Sequence, residues 1–111
     1  MKIVVFGAGQ VGRAIAQYFL YQSKLSQLRL IDINEQQLMS CQIQLANYVN
    51  INKLILSKVE SIHQYIAEAD LIFTAIPWSS HTDIFTMIAY YNKPAIIVSR
   101  PEYHELKKLK I

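Results

Sequence analysis

The sequence predicts an α/β fold: a doubly wound, open parallel sheet of about five strands, of order 3-2-1-4-5, with helices on both faces. Three observations predict it. Short β-branched runs alternate with amphipathic helical stretches from one end to the other. The connections between them are a few residues long, and no repeat, linker or low-complexity stretch interrupts the alternation.

Lys2 to Phe6 is a β-branched and aromatic run, too short for a helix and apolar on both sides, which predicts a central strand buried from both faces. From Gln10 to about Tyr21, Val11, Ala14, Ile15, Tyr18 and Phe19 recur at three- and four-residue spacing, the pattern of a helix packing one face on the sheet. Leu28 to Asp32 reads as the second strand. Asn34 then caps a helix that begins with Glu35 and runs to about Val49, with Leu38, Cys41, Leu45 and Val49 on one stripe. On that stripe Cys41 reads as a small core residue, without a function of its own. Lys53 to Ser57 makes a third strand, Val59 to Ala69 a helix, and Leu71 to Ile76 a fourth strand stopped by Pro77. A helix from about Thr82 to Tyr91 leads to a fifth strand, Ala95 to Ser99, stopped by Pro101.

The 111 residues, 52% hydrophobic and 17% charged, suit one globular domain over residues 1–111 and exclude a disordered or fibrous chain. A single cysteine, Cys41, excludes a disulfide scaffold and agrees with a reducing compartment, so the expected location is the cytoplasm. The apolar start from Met1 to Leu20 is broken by Gln10, Arg13 and Gln17, so neither an export signal nor a membrane span is expected. The net charge of +3 comes mostly from Lys107, Lys108 and Lys110, which read as a solvated end and not as a nucleic-acid patch.

Gly7-Ala8-Gly9-Gln10-Val11-Gly12 is G-x-G-x-x-G, placed between the first strand and the first helix. Gly7 permits the tight turn, Gly9 lets a pyrophosphate approach the backbone, and Gly12 lets the helix close on the strand. The amides of Gln10 and Val11 at the helix start would point at the phosphates, where the helix dipole favours negative charge. Asp32 follows twenty residues beyond Gly12. A helix of about twelve residues advances about 18 Å, and five strand residues return about 16 Å. Asp32 therefore returns to the level of the glycine loop, placed to accept from a ribose diol.

A carboxylate there accepts from the ribose hydroxyls of NAD and repels a 2′-phosphate, and Ile33, Asn34 and Glu35 supply no arginine to hold one. NAD(H) is expected over NADP(H). Adenosylmethionine fits the six-residue spacing less well. Ala75, Ile76 and Pro77, at the carboxyl end of the fourth strand, should face the cofactor, while Trp78 either joins them or covers a loop.

Ile3 to Arg13, Leu30 to Ile33, and Ala69 to Pro77 with His81 together resemble the N-terminal Rossmann domain of the saccharopine dehydrogenase-like oxidoreductases. The resemblance spans nearly the whole chain. It implies that Gly7, Gly9, Gly12 and Asp32 bind the dinucleotide, and that Ala75 and Pro77 line its nicotinamide side. Leu56-Ser57-Lys58 stands where that family often has an Asp after the third strand, which puts the adenine-side contacts in doubt. Pro77 through His81 to Ser99-Arg100-Pro101 is also similar to sugar oxidoreductases related to glucose-fructose oxidoreductase, but Arg100 falls where their catalytic lysine would be. The opening Gly7 to Arg13 is similar as well to NAD-binding regulatory domains of potassium-uptake systems, which usually lack the Pro77-Trp78 feature.

No catalytic constellation stands out. His63, His81 and His104 have no metal-ligand spacing, and the carboxylates form no acid/base pair. His81 lies near the predicted crevice but reads as a helix cap or surface residue, and Tyr90, Tyr91 and Tyr103 read as core or surface cover. A nicotinamide dehydrogenase needs a second domain to bind substrate and exclude water, and 111 residues leave no room for one. The expectation is the N-terminal part of a longer oxidoreductase, completed by a substrate domain or a homo-oligomer partner. The alternative is a stand-alone NAD(H)-sensing module.

Overall fold

The computed structural model describes residues 1–48, 50–58, 61–76 and 82–98. Five strands form one parallel sheet: β1 (Lys2–Phe6), β2 (Gln27–Ile31), β3 (Leu54–Ser57), β4 (Leu71–Thr74) and β5 (Ala95–Ile97). Their order is β3-β2-β1-β4-β5, as the alternation predicts. Four α-helices connect them: α1 (Gln10–Phe19), α2 (Glu35–Gln44), α3 (Ile62–Glu68) and α4 (Thr82–Tyr91). A short 3-10 turn, Ile51–Lys53, leads into β3.

Residues of β1 alternate between two cores, which is why the strand has no polar face after Lys2. Ile3 and Val5 pack with Leu28, Leu30 and Phe73 beneath α1 and α2. Val4 and Phe6 pack with Ile31 and Ile72 beneath α3 and α4. A central parallel strand buried on both faces is the arrangement in which every β1 side chain after Lys2 removes apolar surface from water.

Several boundaries differ from the sequence expectation. The helix α1 ends at Phe19 and α2 at Gln44, with Leu45 buried as the α2 cap, so that stripe stops short of Val49, which lies outside the described residues. β4 ends at Thr74, leaving Ala75 and Ile76 beyond the strand. Pro77, Trp78 and His81 lie outside the described residues, as do Ser99 to Ile111 with His104 and the lysine-rich end. Asn34 caps α2 as expected, its side-chain oxygen accepting from the amides of Gln36 at 3.0 Å and Gln37 at 3.3 Å.

The face that α1 turns to the sheet is also different. Gly12 and Ala16 are its buried residues, with Ile15 and Phe19 packed beside them. Val11 and Tyr18 are 51% and 63% exposed, against expectation. Small residues decide this: they let the helix axis come close to β1, and the bulkier apolar flank is left on the rim. That rim and Phe73 and Val98 line an apolar groove of about 420 Å³ beside β4 and β5. Among the described residues no helix is long and apolar enough to cross a membrane.

Thr74 is fully buried at the end of β4, and its hydroxyl makes no hydrogen bond among the described residues. A buried hydroxyl without a partner costs about 1–3 kcal/mol. Thr74→Val is therefore expected to raise stability by about 1 kcal/mol, read from a denaturant midpoint. A loss of stability would show that the hydroxyl has a partner.

Candidate functional site

The loop between β1 and α1 begins with Gly7 at φ +104°, a backbone region that side chains rarely adopt. A Cβ there would also lie 2.4 Å from the Ala75 carbonyl oxygen. At Gly12 a Cβ would lie 1.7 Å from the Gly7 carbonyl oxygen, so the first turn of α1 touches the backbone of the loop it leaves. Gly9 is different in kind: a Cβ built on it meets nothing within 4 Å. Two of the glycines are required by the protein's own packing, and the third faces open space.

Asp32 stands just past β2, with its amide bonded to Ser57 O of β3 at 3.1 Å. Its Oδ2 accepts from the Ala8 amide at 2.8 Å, and its Oδ1 from the Asn34 amide at 2.8 Å. The helix-and-strand arithmetic thus brings Asp32 to the loop it was expected to reach. The carboxylate anchors the glycine loop to β2, and each oxygen keeps lone-pair capacity for a further donor.

A cleft of about 600 Å³ opens over the carboxyl ends of β1, β2 and β4. Gly7, Gly9, Asp32, Ile33, Ala75 and Ile76 line it together. Of the other sequence-predicted residues, Gln10 and Val11 contribute amides of the first turn of α1. The Val11 side chain lines the separate apolar groove instead. Gly12 is buried, and Pro77 lies outside the described residues. Among the described residues no group accepts from the amides of Gly9, Gln10 or Val11.

The far wall was not foreseen. Ile62 opens α3, and Asp83, Ile84 and Met87 come from the first turns of α4. The β3-to-β4 and β4-to-β5 crossovers carry these helices over the same face of the sheet, so residues remote in sequence meet Ile33 across the cleft. The only signal for them is the apolar spacing of Ile84 and Met87, which reads equally as core. Lys58, in the segment that departed from the family pattern, pairs with Glu35 at 3.4 Å on the surface.

Cys41 is fully buried on α2 beside the loop, and its thiol donates to the Ala8 carbonyl at 3.2 Å. Burial pushes its pKa up, with the neighbouring Arg13 guanidinium pulling the other way. His63 contacts the Tyr91 hydroxyl at 3.3 Å, on the helical surface formed by α3 and α4. No group of three His, Cys, Asp or Glu among the described residues is placed to hold a metal.

The glycine geometry yields two outcomes for thermal and denaturant unfolding. Gly12→Ala forces backbone apart and is expected to cost about 3 kcal/mol or more. Gly9→Ala, at φ −74°, is expected to change stability by less than about 1 kcal/mol. Equal losses in both variants would contradict the assignment of Gly9 to open space.

The sequence model of the family described as NADP oxidoreductase, coenzyme F420-dependent, matches residues 2–101. No curated protein matches the chain. Among solved structures, saccharopine dehydrogenase (L-Glu forming) from Saccharomyces cerevisiae aligns at TM-score 0.71 and 10% identity, over 97% of this chain and 23% of that one. Quinate dehydrogenase from Corynebacterium glutamicum in complex with NAD aligns at 0.64 and 16% identity, over 85% and 43%. Malate dehydrogenase from Plasmodium falciparum in complex with NADH aligns at 0.64 and 22% identity, over 91% and 36%. At these identities the likeness is one of fold, and the chain spans less than half the length of each structure. With a family match over nearly its whole length, the chain belongs to the NADP oxidoreductase, coenzyme F420-dependent family, as a Rossmann-type dinucleotide-binding domain.

Proposed function

We propose that the chain is the cofactor-binding part of a pyridine-nucleotide-dependent oxidoreductase and prefers NAD(H) to NADP(H). The observation that carries this reading is the open space in front of Gly9, flanked in one cleft by Asp32 and by the first turn of α1. The residues present fit a dinucleotide. The amides of Gly9, Gln10 and Val11 would hold the pyrophosphate, helped by the dipole of α1. Asp32 would accept from the adenosine ribose hydroxyls, and Ile33, Ile62, Ile84 and Met87 offer apolar cover on either side of the cleft. Ala75 and Ile76, with Pro77 after them, would line the nicotinamide side, where the bound cofactor supplies a hydride donor or acceptor.

The preference for NAD(H) rests on Asp32. Backbone amides on both oxygens fix the carboxylate in place, so an added 2′-phosphate would meet a negative charge that cannot turn away. The family's description names NADP, which makes this preference the sharpest part of the reading to test. Within the oxidoreductases we assign the chain to the saccharopine dehydrogenase-like group on the order of its motifs, Gly7 to Gly12, Asp32, and Ala75 to Pro77. The substrate domain would be supplied by further chain or by a homo-oligomer partner, in keeping with the longer neighbours. One free buried thiol suits the reducing cytoplasm.

Calorimetric titration with NAD⁺, NADH, NADP⁺ and NADPH tests both parts. The expected result is saturable binding that favours NAD(H), weakened at least about tenfold, or 1.4 kcal/mol, by Gly9→Ala. No binding to any of the four would remove the function, and tighter binding of NADPH than NADH would remove the preference.

A further inference from the structure

Both polar groups of the Ala8 backbone are held by side chains from other elements. Its amide donates to Asp32 at 2.8 Å, and its carbonyl accepts from the Cys41 thiol at 3.2 Å. Ala8 and Cys41 are both fully buried, so water does not compete for either contact. Among the described residues there are no cis peptides, and in a trans peptide the carbonyl and the following N–H point in opposite directions. With the Ala8 carbonyl turned inward to α2, the Gly9 amide points away from α2, and Gly9 itself lines the cleft.

We propose that Cys41 is a positioning residue for nucleotide binding: its bond to the Ala8 carbonyl fixes the plane of the Ala8–Gly9 peptide and aims the Gly9 amide into the cleft. This rests on the dinucleotide reading above. The thiol acts as a donor and therefore works in its protonated form, which burial favours. Asp32 alone does not set this plane, because it holds the preceding peptide, whose carbonyl on Gly7 packs against Gly12. Two successive peptides thus have separate anchors, one on β2 and one on α2. An alkyl side chain at position 41 would still fill core space but would leave the Ala8 carbonyl without this donor.

The test compares Cys41→Ala, which removes the donor, with Cys41→Ser, which keeps one, in the full chain. Leu38→Val, elsewhere on α2 in the same core, is the control for a loss of packing alone. NADH is the probe, and the Gly9 amide resonance of the ligand-free chain is followed in parallel. Cys41→Ala is expected to raise the Kd for NADH about fivefold, the scale of one neutral hydrogen bond. It should also move the Gly9 resonance. Cys41→Ser should restore both, and Leu38→Val should leave both near wild type. An unchanged Kd in Cys41→Ala, or a serine variant as weak as the alanine variant, overturns the proposal. Failure of the wild-type chain to bind NADH overturns the dinucleotide reading itself. In that case an unmoved Gly9 resonance in Cys41→Ala shows that the peptide plane does not depend on the thiol either.

Discussion

The tightest constraint among the three glycines is the contact between Gly12 and the Gly7 carbonyl, where a Cβ would come within 1.7 Å of oxygen. It brings the first turn of α1 directly onto the end of β1. From it follow the positive φ of Gly7, the burial of Ala16 one turn further along α1, and the exposure of the first-turn amides at the mouth of the cleft. A bulkier residue at Gly7 would press on the Ala75 backbone beyond β4, and one at Gly12 would lift the helix off the sheet. Lifting it would move the helix N-terminus away from Asp32 and separate the parts of the candidate site.

The site that results is built mostly from backbone. Among the described residues that line the cleft, its charge on the loop side is Asp32, and that carboxylate is anchored by Ala8 and Asn34 amides. Backbone groups held by neighbouring elements lose little freedom on binding, which is the physical advantage of placing a ligand on a preorganised turn. The opposite wall is apolar at Ile62, Ile84 and Met87, apart from Asp83. A polyanion with a flat apolar end suits a cleft whose two walls differ in this way.

Much of this was legible in the sequence because the relevant information is local. All three glycines of the chain lie between residues 7 and 12, so their spacing could be read directly as a loop. Strand order followed from short connections and crossover handedness, and the return of Asp32 from the rise per residue of helix and strand. The α1 face was misread because apolar spacing does not reveal that a glycine and an alanine, Gly12 and Ala16, make the closest approach. The wall from α3 and α4 was invisible because long-range crossovers bring it into place, without a motif to mark it. Cys41 was assigned correctly to the core. Its contact with Ala8 could not be read, since it depends on the side-chain direction of one helix against one turn.

We propose that the cleft over β1, β2 and β4, and not the apolar groove beside β5, receives the dinucleotide. Amide resonance mapping of the labelled full chain during titration with NAD⁺ tests it most directly. The signals of Gly9, Gln10, Asp32 and Met87 are expected to shift together along one saturation curve. Shifts confined to Tyr18, Phe19 and Val98, or a spectrum that NAD⁺ leaves unchanged, would contradict it.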